Sequence, residues 1–358
     1  MGNDVGAQTE PDGYVERRGR MATVASSSFT LLILLALIAV FAVLEGTKFF
    51  NPTNAQNIAI DASQLLLLAV GVTFVIITAG IDLSVGSVLV LSAVVAAKVM
   101  AGVSTTPELG RQGEWPDQNI GIPLGFAAGI GTGLLCGLIN GFLVTRLRMP
   151  SFIVTLGTLG IALGVAQVVS NGVSIANVPQ DVQLEFGLRE IVGFDWGRHR
   201  IKLTPPLLIA AIVVVIASTA LTRTRFGRYT FAIGSNANAA RRVGINVDRH
   251  LLKVYGVSGL LAGVAGCLDL LRFGNASVST HQNDNLAAIS AAVIGGTSLF
   301  GGLGSIVGTV IGAFIPAVLR NGLIISGVKP FWQNVTIGMI LILAVYLDQR
   351  RRAAEERM

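Results

Sequence analysis

The chain has 358 residues, 52% of them hydrophobic and 13% charged, with 43 glycines and a formal net charge of +6. An average soluble domain carries roughly 25% charged residues, so this composition excludes a soluble globular protein and indicates a polytopic membrane protein. The basic excess does not indicate nucleic acid, because Lys and Arg sit in short loops between apolar runs, as a positive-inside bias arranges them.

In chain order, residues 1–25 form a polar leader carrying Arg17, Arg18 and Arg20, expected to be disordered and cytoplasmic. The apolar run Met21–Leu44 is followed by no small-residue cleavage site and reads as a retained first helix. A spanning helix needs about 20 largely apolar residues. Ten candidates centre on 26–45, 58–79, 84–103, 120–145, 151–170, 205–222, 251–271, 286–302, 303–321 and 331–348. The expected fold is therefore all-α, with a membrane domain over 26–348 and a cytoplasmic tail at 349–358. With the N-terminus inside, the inner segments hold 16 of the 26 Lys and Arg residues, so both termini are expected in the cytoplasm. The loops 104–119 and 171–204 then face outward. In the second, Asp181, Glu185, Glu190 and Asp195 balance four basic residues.

Two glycine-rich turns, 80–86 and 300–304, contain no Lys or Arg, so charge does not fix their depth. Non-helical backbone inside a membrane is tolerated only where protein or a water-filled cavity satisfies it, and either turn can be a broken or re-entrant helix. The first holds Asp82, with eighteen uncharged residues (Ala62–Ala79) before it and fifteen (Leu83–Ala97) after it. An acid at a helix start is favoured by about 0.3–1 kcal/mol, so Asp82 or Ser84 can cap a helix. Ionisable residues inside membranes are also functional candidates by default, and both readings stand. Gly86-Ser87-Val88 and Gly304-Ser305-Ile306 form a faint internal echo, of the kind transporter repeats leave.

Catalytic signatures are missing. No G-x-x-x-x-G-K-[ST] loop occurs, so the chain is not expected to hydrolyse ATP. His199, His250 and His281 are far apart in sequence, and no H-E-x-x-H or paired C-x-x-C suggests a metal. Cys136 and Cys267 lie in apolar runs and read as small buried hydrophobes. No second buried acid or basic partner is expected to form a relay with Asp82.

The stretch 222–253, TRTRFGRYTFAIGSNANAARRVGINVDRHLLK, has seven basic residues and Asp248 as its only acid. Part of this charge suits anionic headgroups. An apolar insert, Tyr229–Ile233, and a short AARR helix go further, because a docking surface needs shape as well as charge. Asn236 or Asn238 can cap that helix and Gly244 can end it.

The loop AIGSNANAARRVGI, the downstream AAVIGGTSLFGGLGSIVGTVIGA, the opening GIDLSVGS, RLRMPSFIVTLGT (146–158) and LILAVYLDQRRR together resemble the permease subunits of bacterial ABC importers for monosaccharides, of the ribose and xylose type. The resemblance runs from about residue 30 to 352. It implies a type II-like permease of about ten helices in the cell membrane, paired as a homodimer or with a paralogue. It also implies a cytoplasmic ATPase subunit, which binds the ATP and Mg, and an extracytoplasmic sugar-binding protein; the permease itself holds no cofactor. Asn238-Ala239-Ala240 followed by Gly244 resembles the Glu-Ala-Ala…Gly coupling motif, with Asn in place of Glu. On that likeness the coupling loop, 223–250, includes Arg225, Gly227, Arg228, Gly234, Asn236, Asn238, Ala239, Ala240, Arg241, Arg242, Gly244 and Ile245, with Arg241 and Arg242 offering charge to the ATPase.

Family members often carry Glu-Leu-Asp-Ala where this chain has Asn285, Leu286, Ala287 and Ala288, with Asp284 one place early. A neutral sugar needs polar groups that read hydroxyls. The candidates for its path are Asp61, Ser63, Gln64, Asp82, Ser84, Asn140, Asp284, Asn285 and Asn321. Each can equally be a helix–helix hydrogen bond. The substrate class is a pentose, a hexose or a related small polyol, and similar permeases carry the furanosyl signal autoinducer-2 or other small solutes. The alternatives are an ion-coupled secondary transporter that uses Asp82 and a scaffold that transports nothing.

Overall fold

In the computed structural model, residues 12–329 are described apart from 197–198 and 282, together with scattered positions between 331 and 350; before Ser28 only the backbone is described. Within these residues the chain forms twelve α-helices and one β-hairpin. The helices are α1 (Asp12–Glu45), α2 (Pro52–Ile77), α3 (Val85–Ser104), α4 (Pro107–Gln112), α5 (Gln118–Arg146), α6 (Ser151–Ser170), α7 (Pro205–Arg223), α8 (Arg225–Ser235), α9 (Ala237–Arg242), α10 (Val247–Phe273), α11 (Asp284–Ile294) and α12 (Ile306–Ile325). The first helix thus begins inside the expected leader, whose residues 1–11 lie outside the described set. The tenth expected span (331–348) and the tail (349–358) also fall largely outside it.

Polar residues mark the helix starts. Asn51 accepts from the Asn54 N–H with Pro52 in the first turn, Asn246 caps α10, and Ser305 caps α12 through the Gly308 N–H. Each such cap is worth about 0.5–2 kcal/mol. Eight helices are long and apolar enough to cross a membrane among the described residues. The expected span 286–302 is not one of them. α11 has 11 residues, which rise only about 16 Å, half of a hydrocarbon core of about 30 Å. The chain leaves the helix at Gly295, and Gly296 takes φ +94°. Apolar composition continues past that point, which is why the sequence reads longer than the helix. The expected loops also hold structure: α4, a π-helical turn (Val182–Gly187), and the antiparallel pair β1 (Val192–Trp196) and β2 (His199–Leu203).

α2, α3 and α10 form the centre and are mostly buried, whereas α1, α5, α6 and α7 expose broad apolar faces. The inward face of α5 is almost entirely glycine: Gly121, Gly125, Gly129, Gly133, Gly137 and Gly141 recur at every fourth residue. A side chain at Gly133 or Gly137 would collide with the backbone of α10 at Gly259 and Gly263. This is the small-residue packing that drives helix association in lipid, where apolar burial alone offers no gain.

α8, α9 and Arg146 define a basic end of the bundle. The start of α1 lies at the same end, where the Thr30 hydroxyl donates to the Ile294 carbonyl (2.6 Å). The two lysine- and arginine-free turns meet there as well. The Gly302 N–H donates to the Ile77 carbonyl (2.9 Å), and Gly234 of α8 packs so closely on both that any side chain would clash.

Candidate functional site

Beyond Ile77 the chain does not cross to solvent. It turns back through Ala79 (φ +60°), and residues 80–84 run non-helically into the bundle before α3 begins. The Asp82 carboxylate accepts three bonds there: from the Ser84 N–H (3.0 Å), the Ser84 hydroxyl (2.6 Å) and the Ser258 hydroxyl of α10 (2.8 Å). Asn140 of α5 donates to Ser84 Oγ (2.9 Å) and accepts from Thr158 of α6 (2.6 Å). Four helices are thereby tied through one buried acid. Ser84 occupies the cap position of α3 without making a cap bond, because its hydroxyl is spent on Asp82. The capping expectation thus resolves into a network in which Asp82 satisfies the Ser84 backbone.

A second polar cluster joins α2, α10 and α11. Asp61 pairs with Arg272, and one turn further along Gln64 donates to Asp269 (3.2 Å), giving two polar rungs between α2 and α10. His281 then bridges two acids, with Nε2 at 2.8 Å from Asp269 and Nδ1 at 2.7 Å from Asp284. Asp269, 2% exposed, is thus a second buried acid in the spans, bonded to Gln64 and His281 and not to Asp82. Asp284, one place before the position of the family's Glu, bonds His281.

The two clusters adjoin. Asn285 donates to the Leu83 carbonyl (3.1 Å), and a side chain on Gly86 would press on the His281 carbonyl. Ser63 and Asn321 stand apart. The Ser63 hydroxyl donates to Ile60 of its own helix (2.6 Å), and Asn321, inside α12, exchanges two bonds with Asn54. An open groove of about 1000 Å³ between α1, α2, α7, α12 and the hairpin is lined mostly by apolar side chains and touches neither cluster.

Residues that sequence reasoning passed over are Thr158, Ser258, Asp269, Arg272 and His281. One signal was available: Asp61/Gln64 and Asp269/Arg272 are both spaced i,i+3, so each pair shares one face of an otherwise apolar helix.

At the basic end, α8 starts at Thr224, whose hydroxyl accepts from the Phe226 and Gly227 N–H groups. α9 is capped by Asn236, which accepts from the Ala239 N–H (2.9 Å), and ends before Gly244 at φ +86°. Ile233, Ala240 and Val247 anchor the pair to α10, and Thr230 bonds His250 (2.9 Å) beneath it. Arg225, Arg228, Asn236, Asn238, Ala239, Arg241, Arg242 and Gly244 remain exposed, with Val243 77% exposed among them. Arg241 holds Asp248 (3.0 Å); Gly227 and Ala240 are buried and shape the turn.

A bundle of apolar helices with broken segments, buried polar clusters and an exposed basic helix pair fits a multi-pass membrane permease. Residues 54–345 match the family model described as a branched-chain amino acid transport system permease component. The chain belongs to that family of ABC-importer permeases, resident in the bacterial cell membrane. It is 36% identical to the fructose import permease protein FrcC of Rhizobium meliloti, over 89% of this chain and 84% of that one. It is also 36% identical to the ribose import permease protein RbsC of Escherichia coli K12 (90% and 94%), and 33% identical to the xylose transport system permease protein XylH of the same organism (88% and 89%). No solved structure matches the chain. As a permease component it works with an ATPase and a substrate-binding protein.

Proposed function

We propose that this chain moves a monosaccharide, a pentose, a hexose or a related polyol, inward across the cell membrane. The relatives named for ribose, fructose, allose, galactose and xylose import support that substrate class. The observation that carries the mechanism is the glycine junction at the basic end. Gly234 of the docking helices rests on Ile77 and Gly302, the bases of both broken segments. An ATPase that grips α9 and closes on ATP, with Mg bound in its own site, pushes directly on those bases. Such switching moves packed helices between discrete arrangements. The loops 104–119 and 171–204, at the opposite end, receive the sugar-binding protein. A second copy of the chain covers part of the apolar surface left by α5, α6 and α7. The three donors already filling the Asp82 carboxylate argue against its use as an ion site.

The test is reconstitution in proteoliposomes with a cognate ATPase and binding protein, using a panel of sugars and autoinducer-2. ATP-dependent uptake of a monosaccharide is the expected result, and uptake that ignores ATP but collapses with an uncoupler sinks it. Arg241→Glu with Arg242→Glu is expected to reduce ATPase co-purification at least tenfold while the permease still elutes as a folded species. Unchanged co-purification contradicts the docking assignment.

A further inference from the structure

His281 has three unusual features at once. It is one of only four non-glycine residues with positive φ among the described residues, at +62°, a conformation that costs roughly 1–3 kcal/mol unless its surroundings enforce it. Its two ring nitrogens both meet carboxylate oxygens, one on α10 and one on α11. Its carbonyl packs on Gly86 in the first turn of α3.

The proton count follows from the chemistry. A neutral imidazole offers one N–H, so two short contacts with two carboxylates require two shared protons among the three groups. The cluster then carries a net charge of −1, with bonds of the charge-assisted kind. Around it, α2 presents Gln64 and Asp61, which pairs with Arg272 of α10, α12 presents Arg320, which acts on Asp284 and Asp61 through space, and Gly86 of α3 lies against the His281 carbonyl.

The segment Gly274–His281 leads from the end of α10 towards α11, with Ala276 and Val278 buried and Ser279 and Thr280 exposed. Its outer part is held by a paired backbone bridge between Ala276 and Ile175 (2.9 Å each way). Its far end is tied by the His281 ring to Asp269 and Asp284, and Val278 between the two anchors is buried in the hydrophobic core. Removing the imidazole therefore removes the polar tie at this end of the segment while leaving the backbone bridge at Ala276 and the packing of Val278 in place.

We propose that His281 is the positioning residue of a latch, which holds this segment shut against α3 and is released during the transport cycle. The latch places the segment and the start of α11 across the polar clusters, so its release opens a route from the end opposite α9. This rests on the transport reading above, and the test separates the two.

Val278→Cys is introduced into the full permease–ATPase complex, and its modification by a membrane-impermeant maleimide is followed by mass spectrometry. Slow labelling at rest is expected, rising at least tenfold with ATP, and rising equally without ATP when His281→Gln or Asp269→Asn is added. Sugar uptake per folded complex is expected to fall at least tenfold in those two variants, with ATPase co-purification unchanged. His281→Arg, which keeps a charge between the acids, is expected to restore slow labelling in part. Labelling that stays slow in His281→Gln overturns the latch, and so does labelling that never responds to ATP in the parent. If His281→Gln misfolds, Asp284→Asn supplies the same comparison with a smaller change. Labelling that behaves as expected in a complex that imports no sugar would count against the transport reading and leave the latch standing.

Discussion

The chain abandons helix geometry at 78–84 and again at 274–283, and the two places solve the same problem differently. Each contains a non-glycine residue in the left-handed region, Ala79 (φ +60°) and His281 (φ +62°). Each delivers an acid to a helix start, Asp82 before α3 and Asp284 as the first residue of α11. Asp82 is satisfied by neutral donors, two serine hydroxyls and a backbone N–H. Asp284 is satisfied by an imidazole shared with an acid on another helix. Neutral donors fixed by local backbone geometry make a static knot. A shared ring carrying protons between two helices makes a contact that a helix movement can open.

The largest expected effect breaks the static side of this comparison. Asp82→Leu leaves the Ser84 N–H and the Ser84 and Ser258 hydroxyls without their acceptor in a buried site. Each stranded donor costs about 1–3 kcal/mol, so little folded protein is expected by fluorescence-detected size exclusion. Asp82→Asn keeps one acceptor oxygen for Ser84 or Ser258 and is expected to fold with a lowered melting midpoint and to retain uptake. Loss of uptake in a folded Asp82→Asn protein would make Asp82 a working residue of the path and not a knot.

How far the sequence carried this picture depended on contact distance. The α9 helix was legible because its signals are local: Asn236, then AARR, then Gly244, all within nine residues. The class was legible from composition and apolar run length. The latch was not, because Asp269 to His281 spans 12 residues and Gln64 to Asp269 spans 205, and neither spacing carries a periodic signature. His281 read as an isolated histidine for the same reason. α11 read as a full span because the apolar run continues through a glycine turn that has the composition of a membrane helix. The site residues that were anticipated sort by the same rule. Asp82 and Ser84 belong together by neighbourhood, while Asn140 and Ser258 reach them only through packing of α5 and α10.

A neutral polar pair calibrates how much of either cluster's stability comes from hydrogen bonding alone. Asn54 and Asn321 exchange bonds of 2.9 and 3.0 Å between α2 and α12. Interhelical hydrogen bonds in membranes average about 0.6 kcal/mol by double-mutant cycles. Asn321→Leu is expected to lower stability slightly, and the Asn54→Leu, Asn321→Leu cycle to give a coupling of about that size, measured by thermal unfolding. Asn54 also donates to the Phe49 carbonyl (2.9 Å), so its single substitution costs more than its partner's. A coupling several times larger would mean that charge is not what distinguishes the His281 cluster.

The smallest effect is expected where charges are exposed. In the hairpin region Arg200 grips Glu190 (2.5 Å) with Lys202 at 3.8 Å, and the Arg200 side chain is 55% exposed. The hydrogen bond from Arg200 holds the Glu190 carboxyl below the usual carboxylate range. A depressed carboxylate contributes its stability above its unfolded pKa and loses it as the pH falls through the folded one. Glu190 therefore has its full effect at neutral pH. That effect is small, because solvent and salt screen an exposed pair. Glu190→Gln is expected to leave the melting midpoint and uptake unchanged at neutral pH and physiological salt. A shift of several degrees would show that the hairpin braces the bundle through charge, and the contrast between buried and exposed ion clusters would then fail at its simplest point.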